Sequence, residues 1–134
     1  MIEEHAAREN VEVVRQVLDR WQRGEPSLDS FADDVVWDYT SFPDGRIVQG
    51  HEEVKKFMRR WLGTWEQYEI RVEQILDAGE DVVALTYESG RGRGSNAQVE
   101  LRGALVFSIA RGRIVRFKGF LDRGEALSFV GLSP

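Results

Sequence analysis

The sequence predicts an α+β fold, in which a curved sheet wraps around helices supplied by the first half of the chain. Three observations predict it. Apolar residues recur at helical spacing in residues 5–23 and 51–62. Alternation of apolar and polar residues begins at Tyr68 and runs nearly to the end. Short turns join the alternating segments. The alternation implies one packed sheet face and one polar face. At 134 residues the chain fits one domain, 1–134, with no repeat or linker, and is long enough to bury a core without cross-links.

In order along the chain, Val14, Val17, Leu18 and Trp21 mark the first helix, which Gly24 ends. Pro26 is expected to start a short helical turn through Leu28 and Phe31. A strand follows at 34-DVVWDYTSF-42, where Val35, Val36, Trp37 and Tyr39 suit a half-buried strand and Asp38 does not. The segment 43-PDGRIVQG-50 reads as a loop. A helix from His51 to Leu62 carries Val54, Phe57, Met58 and Trp61, with Glu52 and Glu53 in its first turn at the positive end of the dipole. The first long strand sets Tyr68, Ile70 and Val72 against Glu69, Arg71 and Glu73. After a turn at Gly79 come strands over 82–90 and 97–110, the latter with Val99, Leu101, Leu105, Phe107 and Ile109 on one face. In the last strand Val115, Phe117 and Leu121 oppose Arg116 and Lys118.

Composition narrows the function. With 42% hydrophobic and 31% charged residues the chain is an ordinary globular one, and without cysteine it has neither disulfides nor thiolate chemistry. Its two histidines, His5 and His51, have no zinc spacing, so no metal is expected. A net charge of −5 argues against general nucleic-acid binding. No apolar run approaches the roughly 18 residues of a membrane span, and the N-terminus has no signal-peptide pattern, so a cytoplasmic location is the default expectation.

Several residues invite a functional reading and also have a structural one. Asp38 shares its phase with Val36 and Thr40. Inside an apolar pocket its pKa would rise and it would serve as a general base. If Trp37 and Tyr39 face the core, Asp38 faces water instead. Glu88 enters the cavity if Ala84 and Thr86 point inward, and is solvated if Val83, Leu85 and Tyr87 do. Trp21, Phe57, Trp61 and Phe117 are core residues first, yet four large rings against a concave sheet also leave an apolar void. His51 reads as a solvated first-turn residue. The run 90-GRGRG-94 reads as a hairpin, and 121-LDRGEAL-127 as a short helix with Asp122 and Glu125 forming a capping box.

Together, 31-FADDVVWDY-39, 50-GHEEVKKFMRRW-61, 88-ESGRGRGS-95 and 112-GRIVRFKGFLDRGEAL-127 carry a resemblance over nearly the whole chain. The chain resembles the SnoaL-like family of the nuclear-transport-factor-2-like (ketosteroid-isomerase-like) superfamily. The resemblance implies a cone-shaped fold whose strongly bent, mostly antiparallel sheet encloses a pocket. It does not fix the chemistry, since the superfamily spans isomerases, epoxide hydrolases, dehydratases, polyketide cyclases and non-catalytic modules.

Residue by residue, Asp38 falls on the general-base position of the ketosteroid isomerases. Their helix tyrosine is Val17 here, and 101-LRGALVFSI-109 holds neither the Asp nor a Tyr, so an enolate would lack donors. The positions used by limonene-epoxide-hydrolase-like members are Glu88, Gly90 and Gly119, and Gly119 also replaces the last-strand Asp of the SnoaL-type cyclases. Of the histidine pair of scytalone-dehydratase-like members only His51 stands at a matching place.

Two functions remain open. One is a cofactor-independent isomerase, dehydratase or cyclase with Asp38 as catalytic acid/base, and Val17, Trp21, Phe57, Trp61, Glu88 and Phe117 around a small, largely apolar molecule. The other is a non-catalytic ligand-binding or dimerisation module. The resemblance also implies a homodimer through the outer sheet face, where Glu100, Arg102, Arg116 and Lys118 lie near Phe120. Neither nucleic acid nor membrane is expected as a partner.

Overall fold

The computed structural model describes residues 2–133, with side chains from Arg8 to Ser133; the side chain of His5 lies outside them. Helix α1 (Ile2–Gln22) and helix α2 (His51–Gly63) form where the apolar spacing predicts them. Gly24, at φ +73°, turns the chain out of α1. The expected helical turn after Pro26 does not form. Phe31 instead opens strand β1 (Phe31–Asp38) and pairs with Ile114, because one isolated turn of helix has too few hydrogen bonds to compete with a sheet ladder.

The strands β1, β2 (Ile47–Gln49), β3 (Trp65–Ala78), β4 (Asp81–Gly92), β5 (Gln98–Ala110) and β6 (Arg113–Phe120) form one sheet in the order β2-β1-β6-β5-β4-β3. All neighbours are antiparallel except β1 and β6, which are parallel. Strand β2 lies inside the segment that reads as a loop. Its three residues pair with Val36, Trp37 and Asp38, and its return is set by Gly45, where a Cβ would sit 1.6 Å from the Tyr39 carbonyl oxygen.

Two irregularities change which residues face inward. In β6, Val115 is an extra residue opposite the Ser108–Ile109 step, so Ile114 and Phe117 both enter the core while Val115 stays 36% exposed. The sequence alternation places Val115 beside Phe117, and the bulge corrects that. In β3 a register shift between Val72 and Gln74 moves the inward phase from Tyr68, Ile70 and Val72 to Ile75.

The concave face packs on α1 and α2. Val14, Leu18, Phe31, Phe107 and Phe117 are fully buried there, at roughly 1.5–3 kcal/mol of hydrophobic stabilisation for each large side chain. The convex face is partly covered by α3 (Arg123–Phe129), which lies over Val83, Ala104, Val106 and Phe120. Asp122 caps this helix by accepting a hydrogen bond from the Glu125 amide at 2.9 Å, as the LDRGEAL run predicts.

Candidate functional site

The concave sheet and the two long helices do not fill the space between them. A chamber of about 240 Å³ remains. Its helix side is Trp21 of α1 with Phe57 and Trp61 of α2. Its sheet side is Trp37, Tyr39, Tyr68, Glu88 and Phe117. The exposed lining residues Gln22, Gly24, Pro26, Leu62 and Glu69 mark the mouth. The rings pack against one another, with centroids 4.5 Å apart for both Trp37–Phe117 and Tyr39–Phe57. Such mutual packing fixes the walls rather than letting them collapse inward.

A second chamber of about 210 Å³ lies farther along the concave face, lined by Phe42, Trp65, Gly90, Val99, Leu101 and Leu121 among others. Trp61, Tyr68 and Glu88 line both chambers and therefore form the partition between them. The Tyr68 hydroxyl donates a hydrogen bond to Glu88 Oε1.

Glu88 is inward because Val82, Ala84, Thr86 and Glu88 form one phase of β4, and the first three are fully buried. Of the two phases the sequence allows, the packing of Val82 and Ala84 in the main core selects this one. Burial raises the Glu88 pKa, and the hydrogen bond from Tyr68 offsets part of that rise. Burial and the charge of Glu88 push the phenols of Tyr39 and Tyr68 up as well, so both stay protonated across the neutral range.

Asp38 lies on the opposite face. Trp37 pairs beside Phe117 and Asp38 beside Lys118, so the alternation that sends Trp37 into the chamber sends Asp38 away from it. Asp38 is only 3% exposed, yet it does not line either chamber. Its Oδ2 meets Arg116 Nη2 at 2.9 Å and Lys118 Nζ at 3.1 Å. Its Oδ1 accepts from the Thr40 amide at 2.9 Å and the Thr40 hydroxyl at 2.6 Å. Burial alone would raise its pKa, but the Thr40 hydrogen bonds and Lys118 override this and bring it down to about 2. The sequence expectation of Asp38 as a base within the pocket is therefore corrected. At neutral pH it is an ionised, fully paired group that ties β1 to β6.

Of the other expected site residues, Trp21, Phe57, Trp61, Glu88 and Phe117 meet in the first chamber. Val17 does not line it; it packs in the core, 5% exposed. His51 opens α2 with Nε2 at 3.1 Å from the Phe31 carbonyl oxygen, and lines neither chamber. Sequence reasoning missed Tyr68, Trp37 and Tyr39 as lining residues. The signal was present: Tyr68 leads the inward phase of its strand, and Trp37 and Tyr39 flank Asp38 in alternation. Gly119, also inward, is constrained by Tyr39: a Cβ there would lie 2.9 Å from Tyr39 Cε1. The tyrosine ring thus occupies the space that a last-strand carboxylate would need. Among the described residues no group of three or more His, Cys, Asp or Glu is placed to hold a metal ion, and no helix is long and apolar enough to cross a membrane.

A curved six-stranded sheet closed by two helices over an aromatic chamber defines a cone-fold domain with an internal cavity. The chain belongs to the SnoaL-like domain family, whose model matches residues 14–117. Solved structures agree in fold. An NTF2-like protein from Burkholderia thailandensis is 25% identical, with a TM-score of 0.78, over 85% of this chain and 91% of that one. An NTF2-like protein of unknown function from Burkholderia pseudomallei is 23% identical, with a TM-score of 0.75, over 92% and 98%. A protein of ketosteroid isomerase-like fold from Catenulispora acidiphila, in complex with trimethylamine, is 17% identical, with a TM-score of 0.70, over 90% and 93%. No curated protein matches the sequence.

Proposed function

We propose that the chain binds a small, largely apolar molecule inside the cone, its body against the aromatic walls and its polar group on the Glu88–Tyr68 pair. The observation that carries this reading is the pair itself, a hydrogen-bonded carboxyl and phenol in a chamber walled mostly by aromatic and aliphatic side chains. Ligand sites combine apolar walls with a few placed polar groups in this way. At about 240 Å³ the first chamber is below the roughly 300–1,000 Å³ of drug-sized pockets, which favours a small ligand.

Steroids, terpenoids, polyketides and phenolics can be screened by thermal shift, with tryptophan fluorescence as a second readout, since Trp21, Trp37 and Trp61 line the chamber. A ligand at about 100 times its Kd adds roughly 2.7 kcal/mol of stability. The expected outcome is a hit whose shift is lost in Trp61→Ala, a substitution in the chamber wall. Hits that bind wild type and Trp61→Ala alike would refute the site.

The raised pKa of Glu88 favours a second reading, cofactor-independent proton transfer in an isomerisation, dehydration or cyclisation. Glu88 then replaces Asp38 as the acid/base. Turnover of a bound ligand by wild type, lost in Glu88→Gln with binding retained, is the outcome that supports it. Binding with no turnover in either protein leaves the ligand-binding module.

Homodimer formation is part of the same proposal. The outer face of β4 and β5 that α3 leaves open carries Tyr87 with the guanidinium carbons of Arg71 and Arg102 at 4.9 and 5.4 Å from its ring centre. Sedimentation of wild type and Tyr87→Asp tests it: a dimer converted to monomer supports pairing through that face, and a monomeric wild type overturns it.

A further inference from the structure

We propose that the molecule taken up by this cone carries a cationic ammonium group, held by Glu88 among the rings of Tyr39, Trp61 and Tyr68. This rests on the small-molecule reading above and specifies its chemistry.

The first argument is the sign of the charges. Glu88 is the ionisable residue other than tyrosine that lines both chambers from the inward phase; Glu69 and Glu100 border one chamber each but stand on the outward phase, Glu100 beside Tyr87. Among the described residues no Lys, Arg or His lines either chamber. An anionic ligand would enter a low-dielectric space facing the Glu88 carboxyl group with no counter-charge, which is strongly unfavourable.

The second argument is the bonding of Glu88. Oε1 accepts from Tyr68, and among the described residues this carboxyl group has no ion pair and no other protein donor. The contrast with Asp38, which has two cations and two Thr40 donors within 3.1 Å, shows that the chain can pair a buried carboxylate when it needs only structure. A carboxyl group sheltered in this way without a cation is costly to ionise, and an incoming cation would remove that cost.

The third argument is the wall. Ammonium groups are attracted to aromatic faces, most strongly when desolvated, and aromatic enclosures are the recurring solution for quaternary ammonium ligands. Here the carboxylate lies in the partition between the two chambers with Trp61 and Tyr68, and its charge is felt by Tyr39. An ammonium at that point meets both kinds of attraction, while its apolar substituents extend into the ring-lined space on either side.

The test is a pair of probes of one shape: choline, and 3,3-dimethylbutan-1-ol, in which carbon replaces the quaternary nitrogen. Tryptophan fluorescence titration of wild type is expected to give choline at least a tenfold lower Kd, equivalent to about 1.4 kcal/mol. In Glu88→Gln the two affinities are expected to converge to within about twofold, with far-ultraviolet circular dichroism confirming that the variant is folded. Equal affinities in wild type would overturn the proposal, and so would a choline preference that survives in Glu88→Gln. If the neutral alcohol or hits from the apolar screen bind without any advantage for choline, the ammonium inference fails and the small-molecule reading stands. If no probe of either kind binds, both fail.

Discussion

Asp38 and Glu88 are two carboxylates sheltered by one sheet, on opposite faces, and they have been given opposite environments. Asp38 is surrounded by donors: Arg116, Lys118, the Thr40 amide and the Thr40 hydroxyl. Glu88 has Tyr68. The pKa of the first falls to about 2, while that of the second rises. Burial acts in the same direction on both, so the difference is one of replacement. On the convex face protein donors substitute for lost water; on the concave face they do not. The same asymmetry appears in neutral groups, since the indole nitrogens of Trp21 and Trp37 and the hydroxyl of Thr86, all on the concave side, are buried without a hydrogen-bond partner. A polar group fully satisfied by its own fold has nothing left for a ligand, which is why the concave carboxylate is the functional candidate.

The largest effect that could break this comparison is Asp38→Asn. A folded pKa of about 2, against an ordinary 3.8, means Asp38 stabilises the fold above about pH 4 and loses that contribution as pH falls through its folded value. At pH 7 the loss of its charge is expected to cost about 2 kcal/mol. Denaturant unfolding between pH 7 and pH 2 checks it: the gap between wild type and Asp38→Asn should close on acidification. A gap that is absent at pH 7 would mean that Asp38 is not held by its cations.

Next in size is Tyr68→Phe, which removes the one side-chain donor to Glu88 among the described residues and is expected to cost about 1 kcal/mol. Loss of the donor should also raise the Glu88 pKa further, measurable by NMR titration of the side-chain carboxyl. A downward or unchanged value would show that the hydrogen bond does not favour the charged form.

Glu88→Gln sharpens the comparison through its sign. Because burial raises the folded pKa of Glu88, the native state holds this proton more tightly than the unfolded chain, so wild type is expected to lose stability as pH rises above about 4.5. Glu88→Gln removes that slope. Relative to the variant, wild type should weaken from pH 4 to pH 8, the reverse of the Asp38 pattern. A parallel pair of profiles would mean that Glu88 ionises as easily folded as unfolded.

The two carboxylates also mark what was legible in the sequence. Alternation in β5 and the helical spacing of α2 have physical counterparts inside one element, and they located Phe107, Phe57 and Trp61 correctly. The faces of Asp38 and Glu88 depend on pairing between distant strands. Asp38 lies between Trp37 and Tyr39, and its partners Arg116 and Lys118 flank Phe117, so two local alternations read together contain the answer. The parallel pairing of β1 with β6 that brings them into register is invisible in either segment alone. Val115 shows the opposite limit: the bulge that expels it depends on how β6 fits against β5, and no local pattern records it. The family's base position pointed to Asp38, but what a position does follows from its face, and here the neighbouring rings decide that face.

The smallest expected effect concerns Thr86, two residues before Glu88 on the same phase of β4. Its hydroxyl is fully buried and unpartnered, whereas its methyl group is packed. If the concave face is kept polar beyond what folding needs, Thr86→Val should be neutral or stabilising, by up to about 1 kcal/mol, since it replaces an unsatisfied hydroxyl with a methyl of similar size. Chemical denaturation at pH 7 measures it. A destabilisation of more than about 1 kcal/mol would reveal a partner for the hydroxyl in solution and would place Thr86 with Asp38 among the satisfied groups. A gain would place it with Glu88, on the face where the fold has given up stability to keep unpaired polar groups beside the chamber.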